Sequence, residues 1–407
     1  MQDGGQVEFP VDDDQHAART LRKAKSAVRH FFETLGRFSK YRAGIQCRLL
    51  DVIQFYLTNS STVSALAGKA IQGRRVISCA TDFPPSLPSI CSLYRPVKMS
   101  LLSLIISLLI EQARPLPETV WGRKGWVTRY ADFVERRFNA GEATHGLIGW
   151  LVAVLPPVLL SALVFFLLYL VQPLLALAWN IFVLYLTMGF RQVSHYFTET
   201  HVALRAGDIA TARERVGSWR GRLSDRMSSS EVARVAIEEA LVASHRHVFA
   251  VIIWFILLPG PSGAVLYRIA AHLAREWGGR NDPEFGDFGV FSRKAFALID
   301  WLPTRCTAVA FSIVGDFEDA IYCWRTQATR WPDVASGILL SSGAGAMGVR
   351  LGMPLHETGE VVERPEMGLG DEADADFMQS AIGLIWRTLV LFLLLLALLW
   401  VASLVGH

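Results

Sequence analysis

The segment AIGLIWRTLVLFLLLLALLWVASLV, from Ala381 to Val405, decides the fold class of this chain. It carries a single charged residue, Arg387, close to its start. A helix needs about 20 apolar residues to cross a hydrocarbon core that is about 30 Å thick, and this segment exceeds that length. We therefore predict that it is a membrane-spanning helix.

The composition of the whole chain agrees with a membrane protein. Hydrophobic residues make up 52% of the 407 residues and charged residues 19%, so the charges must be segregated from the apolar segments. The net charge is only +3, and no basic block is interleaved with aromatic residues, which argues against a nucleic-acid partner. The five cysteines lie far apart without a Cys-x-x-Cys pair, so neither a disulfide framework nor a structural metal site is expected.

Further apolar segments precede the C-terminal one. Leu147 to Val171 is long enough to span, and after a break at Gln172-Pro173 the segment from Leu174 to Phe190 returns, which predicts a helical hairpin. The run from Val248 to Leu258 ends at Pro259-Gly260, and such a break at membrane depth would mark the wall of a cavity. We predict an all-α, polytopic helical membrane protein with about four to five membrane segments.

Two other apolar segments have distinct features. Residues 100–110 are too short to cross the bilayer and are expected to be interfacial or re-entrant. Residues 295–315 include Asp300, Pro303 and Arg305. Ionisable groups at membrane depth are costly and are functional candidates, whereas the alternative is that Asp300 and Arg305 cap helix ends at the interface.

A helical cytosolic face is predicted between the spans. The segments on both sides of the 147–190 hairpin are rich in arginine, which assigns both to the cytoplasm. In the loop 191–246, Asp208 can cap one helix, and Ser228 with Glu231 has the spacing of a capping box before a second. We predict that this loop is folded and helical.

The chain divides at Met99. Residues 1–98 contain no span, and we interpret them either as a poorly structured extension or as upstream sequence read from a start codon placed too early. Residues 99–407 form the membrane domain.

Two patterns that suggest ligands have simpler explanations. The pairs His195 with His201 and His245 with His247 do not share a helix face, so no metal site is predicted. The small residues from Gly343 to Gly348 lack the spacing of a phosphate-binding loop, and close helix packing is the preferred interpretation.

Three segments resemble the CobD/CbiB family, the adenosylcobinamide-phosphate synthases, and the related AmpE proteins. They run from Leu204 through Gly207-Asp208 to Arg213, from Trp301 to Arg305, and from Ala344 to Gly352, the last followed by Arg364-Pro365 and Gly368. The third match is the most specific. The resemblance covers Met99 to His407.

This resemblance implies a bacterial inner-membrane enzyme that joins an aminopropanol group to a corrinoid carboxylate, in a step that depends on ATP and Mg²⁺. Membrane lipids and a corrinoid would be its partners. By correspondence with the family's motifs, the catalytic candidates are Arg222, Glu239 and Arg305, and the candidates for cofactor binding are Asp208 and Asp300.

Several motif positions differ from the family's pattern. Leu223 stands where the family has an acid after Gly-Arg, and Phe296 with Ala297 replaces the paired acids before the Leu-Pro segment. These apolar side chains carry no oxygen ligand for Mg²⁺. The alternative hypothesis is therefore an AmpE-like regulatory or sensory protein without enzyme activity, and a third is a structural membrane partner whose arginines bind anionic headgroups.

Overall fold

The structure, a computed structural model, describes residues 91–114, 121, 125–221, 226–280, 285–357 and 360–405. Helices dominate this part of the chain. The α-helices are α1 Cys91–Ala113, α2 Trp126–Phe138, α3 Ala143–Val171, α4 Pro173–Thr187, α5 Phe190–Arg205, α6 Ile209–Arg220, α7 Ser229–Ser244, α8 Ala250–Leu257, α9 Ser262–Glu276, α10 Phe288–Val314, α11 Phe317–Gln327, α12 Val334–Met347 and α13 Ala375–Val405. A π-helical segment, His245–Phe249, joins α7 to α8, and a 3-10 turn, Ala328–Arg330, follows α11.

Four helices in the described residues are long and apolar enough to cross a membrane: Thr144–Val171, Ser229–Leu257, Phe288–Val314 and Ala375–Ala402. The outer face of α3 exposes Leu159, Leu163, Leu167 and Leu170. A helix that faces hydrocarbon needs no polar outer surface, so these side chains are suited to lipid contact. The prediction of an all-α polytopic membrane protein is confirmed.

Helices α3 and α4 form the predicted hairpin. The indole nitrogen of Trp179 in α4 donates to the Ser161 carbonyl in α3 at 3.2 Å, and Gln172 separates the two helices. However, α4 ends at Thr187, so the prediction of one helix from Leu174 to Phe190 is wrong at its end. Helix α4 is shorter than a full membrane span.

Residues 191–246 are helical where the structure describes them. Asp208 caps α6, and Ser228 forms the expected capping box with Glu231. The helix that begins there is longer than predicted, because it continues through the π-helical segment to Leu257 as one of the four candidate spans, and the cytosolic placement of the loop stays a prediction. Its charged residues hid the continuity in the sequence.

The break after Leu258 is confirmed, and α9 begins at Ser262. Gly260 has a φ of +62°, and a Cβ there would lie 2.6 Å from the ring of Phe165, so glycine is required for both conformation and space. Helix α10 then packs beside the Ser229–Leu257 span, and the Trp254 indole nitrogen donates to the Ile299 carbonyl at 3.2 Å.

Small residues allow α12 to pack closely against α11. A Cβ on Gly345 would lie 2.5 Å from the Asp319 carbonyl oxygen and 2.8 Å from Ala320 Cα, both of which are backbone atoms. The interpretation of residues 343–348 as a packing segment is confirmed.

Short strands, which the sequence did not suggest, follow α12. They are β1 Val349–Gly352, β2 Leu355–Glu357, β3 Glu360–Val362, β4 Glu366–Met367 and β5 Asp371–Glu372. Strand β1 pairs antiparallel with β4 and parallel with β5, and β2 pairs antiparallel with β3. We call residues 349–372 the strand segment.

The predicted boundary at residue 99 falls within α1, which begins at Cys91. Most of residues 1–98 lie outside the described residues, so their assignment stays a prediction. The apolar segment 100–110 belongs to this longer helix, of which Met99–Ala113 forms a short apolar part.

Candidate functional site

A buried polar network lies between α10 and the π-helical segment. Its centre is Asp300, which is 2% exposed in the middle of α10. The Tyr267 hydroxyl donates to Asp300 Oδ1 at 2.8 Å, and the Thr304 hydroxyl donates to Oδ2 at 3.0 Å. His245 Nε2 lies 2.9 Å from Oδ1. The alternative that Asp300 caps a helix end is therefore wrong.

The contacts of His245 indicate its tautomer. An ionised carboxylate only accepts hydrogen bonds, so Nε2 carries a proton and donates to Asp300. The other ring nitrogen, Nδ1, lies 2.9 Å from the Thr307 hydroxyl, which can donate to it. His245 is fully buried, and both ring nitrogens have partners. The imidazole is thereby fixed in one orientation.

This network stabilises the helix pairing but does not present a reactive atom to solvent. A buried carboxylate is tolerated when several donors compensate its charge. Because His245 begins the π-helical segment, its anchoring to α10 fixes the positions of the next residues, Arg246 and His247. Arg246 is partly exposed and lies 3.8 Å from Asp333.

Glu239 lies close to this segment. Its carboxylate forms an ion pair with Arg220 at 3.3 Å, and the positive charge of Arg246 also acts on it. About a third of its side chain, 37%, is exposed. The Glu239 carboxylate thus lies between two arginines, and solvent can still reach the carboxylate.

The other predicted site residues lie apart from Glu239. Arg305 stacks its guanidinium 4.2 Å from the centre of the Trp301 ring and donates to the Trp301 carbonyl at 2.9 Å. Asp208 accepts hydrogen bonds from Thr211 as the cap of α6, and these bonds lower the pKa of its carboxyl. Within the described part of the chain, no hydrogen bond or ion pair joins Asp208, Glu239, Asp300 and Arg305 to one another. Arg222 lies outside the described residues.

A second buried ion pair ties the strand segment to α7. Arg364 donates to Glu238 Oε2 at 2.8 Å, and Gly352 N donates to Glu238 Oε1 at 2.7 Å. Arg364 also donates to the carbonyls of Gly352 and Met353, at 2.9 and 3.2 Å. Arg364, which belongs to the Arg364-Pro365 sequence that carried the resemblance, therefore has a structural role.

Two further residues of α7 reach the same segment. Glu231 Oε1 lies 2.8 Å from His356 Nδ1 and accepts a hydrogen bond from the His356 backbone at 3.2 Å. Arg234 donates to the Pro354 carbonyl at 2.9 Å. Residues 231, 234 and 238 share one helix face, so α7 holds the strand segment along two turns.

The family resemblance implies a bound Mg²⁺, and this ion needs oxygen ligands that are close together and free to bind it. Among the described residues, no group of three or more His, Cys, Asp or Glu side chains is placed to hold a metal ion. The oxygens of Asp300, Glu238 and Glu231 accept hydrogen bonds from protein donors. These carboxylates do not fit a Mg²⁺ site, and no ligand to that ion is assigned among them.

Comparisons with known proteins agree on one family. The model of the CobD/Cbib protein family matches residues 102–385. The cobalamin biosynthesis protein CobD of Stutzerimonas stutzeri is 34% identical over 297 residues, which are 72% of this chain and 94% of that protein.

Two other relatives carry the same description. CobD of Chromobacterium violaceum is 35% identical, covering 50% of this chain and 64% of its own length. CobD of Halalkalibacterium halodurans is 27% identical, covering 70% and 90%. No solved structure is a significant match. These relatives support an association with cobalamin biosynthesis, and they support neither the AmpE-like alternative nor a loss of activity through altered motifs.

Proposed function

We propose that this chain, which belongs to the CobD/CbiB family, joins an aminopropanol group to a corrinoid carboxylate in the bacterial inner membrane. The observation that carries the proposal is the extent of the match, because the chain covers 94% of a relative that is named a cobalamin biosynthesis protein. A match over nearly the whole relative includes α7, α9 and α10, whose side chains form the buried networks.

Amide formation makes specific demands on the protein. The amine nitrogen must lose a proton as the C–N bond forms, and the carboxylate oxygen that is lost would leave on a phosphate group supplied by ATP. Glu239 is a partly exposed carboxylate and is our candidate for accepting the proton. Arg305 presents a planar guanidinium that can pair with a carboxylate of the corrinoid, and Arg222 is the second candidate for this role.

Complementation tests the proposal. The full-length chain is expressed in a bacterium that lacks its own synthase, under conditions in which growth requires conversion of cobyric acid to cobinamide. We expect growth to be restored. Absence of growth, with membrane expression verified by immunoblotting, would count against the proposal.

A direct assay complements the growth test. Purified protein in detergent is incubated with the corrinoid acid, the amine, ATP and Mg²⁺, and the amide is detected by its mass. Glu239→Gln and Arg305→Gln should each slow product formation. Glu214→Gln on the exposed face of α6 is a matched control that should not. Equal rates for all variants would contradict the roles assigned to Glu239 and Arg305 but would not contradict the synthase activity.

A further inference from the structure

Arg246 directly follows the buried histidine of the polar network. The two ring nitrogens of His245 lie 2.9 Å from the Thr307 hydroxyl and from Asp300 Oδ1, so the imidazole is tied to α10. Successive residues of a helix are about 100° apart around its axis, so the direction of Arg246 is fixed together with that of His245. Arg246 is 42% exposed, which places its side chain at the surface of the protein.

Glu239 and Arg246 lie on the same face of this helix. They are seven residues apart, which is close to two full turns. The backbone between them is α-helical up to His245, whose N–H donates to the Leu241 carbonyl. Helical side chains lean toward the N-terminus of their helix, so the Arg246 side chain extends toward Glu239. Ala243, which lies between them on this face, has only a methyl group.

Three charged side chains act on the Glu239 carboxylate. Arg220 of α6 pairs with its Oε1 at 3.3 Å, Glu238 precedes it on α7, and Arg246 acts on it through its charge. Burial and the like charge of Glu238 disfavour the ionised form of Glu239, whereas the two arginines favour it. Arg246 also lies 3.8 Å from Asp333, the residue that caps α12.

A carboxyl group can accept a proton only while it is ionised. The nearby charge of Arg246 favours that state through space, and an interaction of this kind does not occupy the oxygen that must take up the proton. The arrangement therefore suits a base that has to stay ionised in a partly buried position. π-helical segments occur frequently at functional sites, and this one carries Arg246 as its second residue.

We propose that Arg246 is a positioning residue of the reaction proposed above, and that it keeps Glu239 ionised and ready to accept the proton of the amine. The inference rests on the proposed function for the role of Glu239 as the base. The effect of Arg246 on the Glu239 carboxyl group needs no substrate, so it can also be measured without catalysis.

The first test is the pH dependence of amide formation by the purified full-length protein in detergent. Arg246→Gln should move the acidic limb of the rate profile to higher pH by about half a unit to one unit, because Glu239 then holds its proton more tightly. Arg246→Lys should restore the original profile, since it keeps the charge. Arg215→Gln is the matched control, because Arg215 is similarly exposed and pairs with Glu199 at 3.4 Å.

The second test measures the proton on Glu239 directly. Hydrophobic carbodiimides react with protonated carboxyl groups and not with carboxylates, and the labelled peptide is quantified by mass spectrometry. At neutral pH, labelling of Glu239 should be about threefold to tenfold faster in Arg246→Gln, which corresponds to the same change of half a pH unit to one unit. Arg246→Lys and Arg215→Gln should be labelled at the rate of the original protein.

Two further measurements separate protonation from a change of structure. At a pH low enough to protonate Glu239 in every protein, the labelling rates should converge, because access of the reagent is unchanged. The melting temperature of Arg246→Gln should stay close to that of the original protein, since the contact between Arg246 and Asp333 is exposed.

The outcomes distinguish this inference from the proposed function. If the original protein forms the amide and Arg246→Gln changes neither the rate profile nor the labelling, the inference is overturned and the synthase function stands. Slower catalysis at every pH with unchanged labelling, or a change that Arg246→Lys does not restore, overturns it as well. If no amide is formed, the proposed function fails, and the labelling alone decides whether Arg246 keeps Glu239 ionised.

Discussion

His245 Nε2 lies 2.9 Å from Asp300 Oδ1, which joins the π-helical segment to the middle of α10. Both side chains are buried, and the two residues are 55 positions apart in the chain. Contacts of this kind fix the position of one candidate span along the length of the other. Lipid cannot compensate a polar group that has lost its partner, so the pair must be satisfied by the protein itself.

Asp300→Asn should destabilise the protein by about 2–4 kcal/mol, because an amide offers one acceptor oxygen where the carboxylate accepts three hydrogen bonds. The measurement is thermal unfolding in detergent. Asp287→Asn is the control at the start of the same helix, where the side chain makes no capping hydrogen bond. Similar melting temperatures for the two variants would contradict a stabilising role for the network.

Arg364→Lys should release the strand segment from α7. Arg364 reaches Glu238 and the two carbonyls with three separate nitrogens, and the single nitrogen of lysine cannot occupy all three positions. Weakening of a buried pair costs about 3 kcal/mol. Limited proteolysis should then cut residues 353–367 faster than in the original protein.

The control is Arg205→Lys, because the ion pair between Arg205 and Asp376 is exposed and should contribute less than about 1 kcal/mol. If proteolysis is equally slow in both variants, Arg364 does not hold the segment.

Gly345→Ala should separate α12 from α11. The added methyl group would meet backbone atoms of Asp319 and Ala320, which cannot move aside as a flexible side chain could. We expect a loss of about 2 kcal/mol or more. Gly383→Ala on α13 is the matched control, since its nearest neighbour, at 3.3 Å, is the end of the Arg387 side chain. Thermal unfolding of both variants measures the loss of stability that each added methyl group causes.

The stability should fall as the pH is lowered from about 6.5 to about 4. Burial, and then the charges of Arg275 and Arg268, lowers the pKa of His272 to about 4. Below about 6.5 the unfolded chain binds a proton at this histidine that the folded protein does not yet bind, so the free energy of unfolding decreases. The contribution of His272 to this decrease ends near pH 4 and is at most about 3 kcal/mol.

This prediction is checked by measuring unfolding across that pH range. His272→Gln should show a shallower slope than the original protein. Identical slopes would mean that His272 does not contribute to the pH dependence.

Local patterns in the sequence were sufficient for two of the four candidate spans and for two helix caps. Hydropathy found α3 and α13, and the residues at 208 and 228 cap the helices as their spacing predicts. The continuous helix from Ser229 to Leu257 was missed because polar residues within it are compensated by distant partners. Neither the pairing of Glu238 with Arg364 nor that of His245 with Asp300 is visible in a linear sequence.

Only part of the candidate site could be predicted from the sequence. The resemblance pointed to Glu239 and Arg305, and the structure shows that they lie in separate contact groups. Their catalytic roles, like those proposed for Asp208, Asp300 and Arg222, stay predictions. The packing of the Arg268 guanidinium against the Trp121 ring was not recognised, because the two residues are far apart in the sequence and only the fold brings them together.

The π-helical segment His245–Phe249 can be understood as one residue more than a regular α-helix would hold. Removing a single residue here would convert the segment into regular α-helix and keep the two flanking halves of the span in place, so the change would fall on residues 245–249 and on the contact of His245 with Asp300. A deletion elsewhere in the span has no extra residue to compensate for it and would turn one half by about 100° relative to the other. For protein engineering, this segment is therefore the one place in the helix where a change of length leaves the alignment of the two halves intact.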